Sequence, residues 1–189
     1  MKIAFCCSAS KDYVKKYQRC IKSHMTYCKK YNIDYYLDDG DLNADQNKSE
    51  WYWRKVYTIL KYFDDYDIVS IVDIDIEMKE QSPDIRTVLD SNSIYYVKGI
   101  SGRPNSGFLV MRTDEISKKF ITTILNRRGN ELPDYAKMIG ENGYVIQYIK
   151  ENPQGTKELP LEWNCSQPKF IDTAYFLHYT NRLAKHYAL

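Results

Sequence analysis

The first 78 residues alternate between short apolar runs and longer segments whose apolar residues recur every three or four positions. The runs are "KIAFCC" (2–7), "IDYYL" (33–37) and "DIVSIVDIDIEM" (67–78). Between the first two lies "KDYVKKYQRCIKSHMTYCKKY" (11–31), which places Tyr13, Tyr17, Cys20 or Ile21, Met25 or His24, Cys28 and Tyr31 on one predicted helical face. Between the second and third lies "EWYWRKVYTILKYF" (50–63), with Trp53, Val56, Ile59 or Leu60, and Phe63 on one face. The order is therefore strand, helix, strand, helix, strand. Parallel strands need a long crossover and a helix supplies it, so this order predicts an α/β fold. Its central sheet is mostly parallel, with helices packed on it and right-handed crossovers.

The remainder is less regular. "DLNADQNKS" (41–49) has loop composition, and "SPDIRTVLD" predicts a short helix. "SIYYVKG" and "GFLVMR" predict strands around the loop "ISGRPNS". "TDEISKKFITTIL" predicts a helix capped by Thr113 or Asp114, with Ile116, Phe120 and Ile124 on one face. "ENGYVIQYIKE" predicts a further helix, and "AYFLHY" a strand ending at His178. No repeat or linker interrupts the pattern. One domain over residues 1–189 is expected, with a first half of about 1–78 and a second of about 79–189.

The net charge of +2 gives no electrostatic case for nucleic acid or a membrane surface. No run of 18 apolar residues is present, so no membrane span is expected, and the amino terminus is too short in apolar residues for a secretory signal. Five cysteines without metal-ligand spacing fit a reducing compartment, and Cys20 and Cys28 read as helix packing. A cytoplasmic location is the resulting expectation. Tyrosine occurs 18 times, which follows the general bias of the sequence toward Lys, Asn, Ile and Tyr and also suits a surface that stacks sugars or bases.

Chemistry enters at Asp73 and Asp75, which close an apolar run. Strand alternation predicts Ile71, Asp73 and Asp75 on one face. Burying a lone carboxylate costs several kcal/mol, so such a pair calls for a cation. Ligands of parallel α/β sheets gather at the carboxyl ends of the strands. Two carboxylates there suit Mg²⁺ or Mn²⁺. The triplet alone says little, because 16 aspartates in 189 residues give about one Asp-x-Asp by chance, and this chain has three. Asp39/Asp41 and Asp65/Asp67 lie in acidic connections and read as solvated loop charges; only Asp73/Asp75 ends a buried run.

Four pieces, in this order, resemble GT-A glycosyltransferases: "YWRK" (52–55), "VDID" (72–75), "NSGFLVMR" (105–112) and "FLHY" (176–179). Within that group the chain is similar to the galactosyltransferase/xylosyltransferase family and to small relatives encoded by large DNA viruses of the chlorella-virus type. The family's Asp-Gln pair near a late helix start has Glu141-Asn142 as its counterpart here, or none. The resemblance implies a single Rossmann-like domain with a nucleotide-binding first half and an acceptor-side second half. It also implies Mn²⁺ or Mg²⁺, a nucleotide-sugar donor (a UDP-sugar by preference) and a glycan or glycoprotein acceptor. By resemblance Asp75 binds the metal directly, Asp73 contacts the ribose or the metal, and His178 is a third metal ligand. Lys55 and Arg54 reach the donor or the aspartates. Asn105, Ser106 and Gly107 form a loop near the donor sugar and acceptor, and Ser8 and Ser10 lie near the base and ribose. Glu141 is the candidate sugar-side carboxylate.

Two other classes compete. A haloacid-dehalogenase-type phosphatase would use Asp73 as nucleophile, but that motif belongs to a first strand and here two β/α units precede it. A non-catalytic nucleotide-sugar or glycan-binding module would keep the fold without turnover.

Overall fold

A computed structural model describes residues 1–40 and 48–187. Its strands are β1 (Ile3–Ser8), β2 (Asp34–Asp38), β3 (Ile68–Val72), β4 (Ile76–Met78), β5 (Ile94–Lys98), β6 (Pro104–Arg112), β7 (Thr156–Glu158) and β8 (Phe176–His178). Its α-helices are α1 (Lys11–Lys16), α2 (Gln18–Lys30), α3 (Lys48–Leu60), α4 (Glu115–Asn126) and α5 (Asn142–Glu151). The main sheet has the order β2-β1-β3-β6-β5-β7. β1 pairs in parallel with β2 and β3, and β5 with β7, while β6 runs antiparallel to both its neighbours. A mixed α/β architecture with a mostly parallel sheet is thus what the alternation anticipates. β4 and β8 form a separate antiparallel pair.

Both faces of the sheet are covered. α3, α4 and α5 pack Trp53, Val56, Ile59, Phe120, Ile124 and Tyr148 against Val69, Ile71 and Leu109. On the other face, α2 and the β4–β8 pair pack Tyr27, Cys28, Ile76 and Phe176 against Phe5, Ile68, Val72 and Phe108. This explains why β3 reads as an apolar run broken only by Ser70: a strand buried on both sides has no polar face to show.

Several expectations change. The helix over 11–31 is two helices, broken at Tyr17, whose φ of −104° and ψ of 33° leave the helical region. Tyr13 consequently turns outward (54% exposed) rather than joining the buried face. His24, not Met25, is the inward residue of α2; it is fully buried. In α4 the cap is Asp114, whose side chain accepts from Ser117 N, and Ile116 is exposed while Ser117, Phe120, Ile121 and Ile124 are buried. The short helix near 82–90 is a 3₁₀ turn, Ile85–Val88. β7 had no sequence expectation; it is three residues long with no buried side chain. Residues 41–47, the greater part of the expected loop, lie outside the described residues, as does Asp41 of the first Asp-x-Asp. Asp65 and Asp67 are exposed, as a solvated connection requires. All five cysteines are free and buried. Among the described residues no helix is long and apolar enough to cross a membrane.

His24 makes a pH prediction. Its Nε2 lies 2.6 Å from Ile76 O and its Nδ1 3.0 Å from Tyr35 Oη. Burial pushes its pKa down to about 4 from 6.5, against a smaller opposing effect of the Ile76 carbonyl. The unfolded chain therefore takes up this proton before the folded one does. Stability is full above pH 6.5 and falls as pH drops toward 4, by about 3 kcal/mol from this group. Urea titrations across that window should show the slope, and His24→Gln should remove most of it between pH 6.5 and 5, before carboxylates contribute.

Candidate functional site

The site forms where β3 ends. Val72 is the last residue of the β3–β6 ladder, opposite Phe108, and Asp73 N then donates to Gly107 O at 2.7 Å. The chain next turns: Ile76 N donates to Asp73 O at 3.1 Å, closing a four-residue β-turn over 73–76. β4 follows in a different sheet. The expected single strand over 67–78 is therefore two strands with a turn between them. Asp73 and Asp75 share a side because that turn brings them together, not because a continuous strand alternates.

The β4–β8 ladder supplies the third group. Ile76 pairs with His178, and Tyr179 N donates to Asp75 O at 2.8 Å. His178 Nε2 stands 3.3 Å from Asp75 Oδ1 and 3.8 Å from Asp73 Oδ2. One ligand atom from each of the three residues lies within 4.8 Å of the others. Two ligands of one Mg²⁺-like ion at ~2.1 Å stand about 3 Å apart in neighbouring positions, so the set needs little closure to hold a cation. Two carboxylate oxygens and an imidazole nitrogen are a donor set that could hold a divalent cation. Burial would raise the Asp75 carboxyl, but His178 beside it overrides this and holds its pKa below the ordinary range. For His178 burial works downward and Asp75 overrides it, so the imidazole is more basic than usual. A cation in the site would replace the proton that His178 otherwise carries.

Beneath the carboxylates lies a buried cation. Lys55, on the inner face of α3, is 7% exposed. Its Nζ reaches Asp73 Oδ1 at 2.8 Å, Glu141 Oε1 at 2.8 Å and Ser106 O at 3.3 Å. Ser106 Oγ donates to Glu141 Oε1 at 2.5 Å, and Ser106 N donates to Asn142 Oδ1 at 2.8 Å. Glu141 is 1% exposed, and its Oε2 has no hydrogen-bond partner among the described residues. Burial opposes the Lys55 charge, yet Asp73 and Glu141 outweigh it and hold the ammonium charged well above neutral pH. Lys55→Met should therefore destabilise the fold by about 3–5 kcal/mol, because it strands two carboxylates. Adding Glu141→Gln should recover part of that loss, as read from urea midpoints of the three proteins.

The other expected residues separate into two groups. Asn105, Ser106 and Gly107, expected in a loop, instead lie on β6 beside Asp73, because the β5–β6 pairing extends to Pro104. Gly107 is needed there for a specific reason: a Cβ would overlap His178 Cε1 and lie 2.9 Å from His178 Nδ1 and 2.8 Å from Asn105 Oδ1. Arg54 turns away from the aspartates to Asp38 at the end of β2, with Nη2 to Oδ1 at 2.5 Å and Nε to Oδ2 at 3.1 Å. This hydrogen-bonded pairing holds the Asp38 carboxyl down at about 2. Ser8, at the end of β1, is in register with Asp38, and its buried Oγ has no partner among the described residues. Ser10 caps α1 by accepting from Tyr13 N at 3.4 Å.

No family model and no curated protein matches the sequence. Solved structures do. A glycosyltransferase involved in the glycosylation of the major capsid of PBCV-1 matches with a TM-score of 0.80 at 13% identity, over 100% of both chains. The chain has a GT-A-type glycosyltransferase fold. The apo form of the glycosyltransferase GlyE of Streptococcus pneumoniae TIGR4 matches with a TM-score of 0.65 at 16% identity, over 96% of this chain and 55% of that one. The bifunctional glycosyltransferase WbbM matches with a TM-score of 0.67 at 14% identity, over 96% of this chain and 46% of that one. In this glycosyltransferase fold the Asp73–Asp75–His178 group sits at the carboxyl edge of β3, where parallel sheets collect ligands.

Two site residues escaped sequence reasoning. Asp38 is the last residue of β2, but in the sequence it opens the acidic stretch "DDGD" and looks like any solvated loop charge. Asn164 belongs to a short 3₁₀ turn, Leu161–Asn164, with no motif around it. Its Oδ1 lies 2.9 Å from His178 Nδ1. No local signal marks either residue, since their partners come from distant parts of the chain.

Proposed function

We propose that the chain is a metal-dependent glycosyltransferase. It moves a sugar from a nucleotide-diphosphate donor, a UDP-sugar by preference, to a glycan or glycoprotein acceptor. The observation that carries this reading is the convergence of Asp73, Asp75 and His178 in a glycosyltransferase fold. Bound Mn²⁺ or Mg²⁺ supplies Lewis-acid stabilisation of the departing diphosphate.

The chain's own residues divide the work. Asp75 Oδ1, Asp73 Oδ2 and His178 Nε2 hold the cation. Lys55 occupies Asp73 Oδ1, which leaves Oδ2 as the atom facing His178. Glu141 steadies Lys55 and serves catalysis through it, a positioning role that its burial favours. Ser8 and Ser10 sit on the nucleotide side, with Arg54 held beside them by Asp38. Asn105, Ser106 and Gly107 form the wall on the sugar side. All of residues 1–189 belong to this one transferase unit.

The test is donor turnover. A panel of UDP-, GDP- and other nucleotide sugars, with and without Mn²⁺, should show release of the nucleoside diphosphate for one donor class only when metal is present. Phosphate release from simple phosphomonoesters, with a covalent aspartyl-phosphate at Asp73, would instead establish the phosphatase reading. Donor binding without turnover for any acceptor would establish a binding module.

A further inference from the structure

We infer that Asn105 and Asn164 form a relay that sets which nitrogen of His178 carries the proton, aiming the Nε2 lone pair between Asp73 and Asp75. The relay starts at a group whose polarity is not negotiable. Gly107 N–H can only donate, and it lies 2.9 Å from the Asn105 side chain, so Asn105 presents Oδ1. That same oxygen is 3.1 Å from the Asn164 amide, so Asn164 turns its Nδ2 toward it. The other end of Asn164 is then Oδ1, 2.9 Å from His178 Nδ1. An oxygen in that place accepts, so Nδ1 bears hydrogen and a neutral ring keeps its lone pair on Nε2.

The relay works against a local pull. Asp75 Oδ1, 3.3 Å from Nε2, attracts the ring proton to the metal-facing side. A proton there on an otherwise neutral ring would block ligation and leave the Nδ1 lone pair facing Asn164 Oδ1. The inner end of the relay is buried, with Asn164 1% and His178 4% exposed, so water does not readily replace either partner there, while Asn105 is half-buried. Asn105 and Asn164 are thus positioning residues, since the partner of the outer nitrogen selects the tautomer and orients the ring of a ligating histidine. His24 provides an internal contrast, because its Nε2 must donate to the Ile76 carbonyl at 2.6 Å.

The inference rests on the metal reading for its purpose but not for its observable. Long-range ¹H–¹⁵N spectra of the metal-free protein distinguish the two tautomers, and only three histidines need assignment. They are recorded at a pH where the ring is neutral, and calorimetric Mn²⁺ titrations accompany them. His178 is expected as the Nδ1–H form and His24 as the Nε2–H form. Asn164→Leu should abolish the His178 preference and weaken Mn²⁺ binding by about 10–100-fold. Asn105→Asp keeps an acceptor for both Gly107 N and Asn164 Nδ2, so it should preserve the tautomer. Melting curves confirm that each variant is folded. An Nε2–H form of His178, or undiminished Mn²⁺ affinity in folded Asn164→Leu, would overturn the relay while leaving the metal reading intact. The Nδ1–H form in a wild-type protein that binds no Mn²⁺ would support the relay and sink the metal reading instead.

Discussion

Asp75→Ala is expected to lower metal-dependent transfer by at least about a thousand-fold, equivalent to some 4 kcal/mol of transition-state stabilisation. The expectation comes from where the carboxylate stands. Asp75 Oδ1 is the oxygen nearest His178 Nε2, and the strand pairing that holds it joins distant parts of the chain. Asp73 cannot substitute for it, because one of its oxygens is already bonded to Lys55. Removing Asp75 leaves one carboxylate oxygen and one imidazole, a poor donor set for a hard cation. It also takes away the anion that raises His178, so the imidazole becomes less basic. Initial rates over a series of Mn²⁺ concentrations check the prediction. Unchanged turnover with unchanged metal dependence would remove Asp75 from the mechanism.

The second large effect is expected from adding a single methyl group. Gly107→Ala places a Cβ where the His178 ring already sits and against Asn105 Oδ1. Both neighbours are constrained: His178 by Asn164, and Asn105 by Gly107 N and Asn164. The ring must move by a substantial fraction of an ångström. Misplacement on the order of 1 Å costs roughly a hundred-fold in rate, and overpacking a buried site costs about 1–3 kcal/mol of stability. The variant should therefore fold with a lowered melting temperature, lose about two orders of magnitude in transfer and bind Mn²⁺ more weakly. Wild-type Mn²⁺ affinity and rate would show that the His178 side of the site yields easily. Backbone conformation is not the reason for glycine here, since Gly107 is not among the residues with positive φ. The reason is occupied space.

Much of this site can be read locally, and some of it cannot. The apolar run before Asp73 is legible because β3 is covered on both faces, which removes polar residues from every position but Ser70. Lys55 is recognisable only as a charge on an amphipathic helix. What distinguishes it from an exposed lysine is that Asp73 and Glu141 lie opposite, contributed by other segments. Its neighbour Arg54 has the same local appearance and goes to Asp38 instead. One residue along a helix is a rotation of about 100°, enough to send adjacent cations to different partners. The turn over 73–76 is hidden for another reason. Alternating "VDIDI" suits a continuing strand, and only the switch of pairing partner from β6 to β8 makes it bend.

Periodicity in the sequence alone determined the order of the main strands and helices and most of the apolar faces that pack them, because those follow from local geometry and from the exclusion of apolar surface from water. It also determined that two carboxylates stand at the end of a buried strand. Tertiary structure alone decided which atoms meet. Asp75, His178 and Asn164 come together through the β4–β8 ladder and a 3₁₀ turn, and Glu141 reaches Lys55 from the start of α5. Those meetings depend on the register of distant segments, which no local pattern of residues encodes.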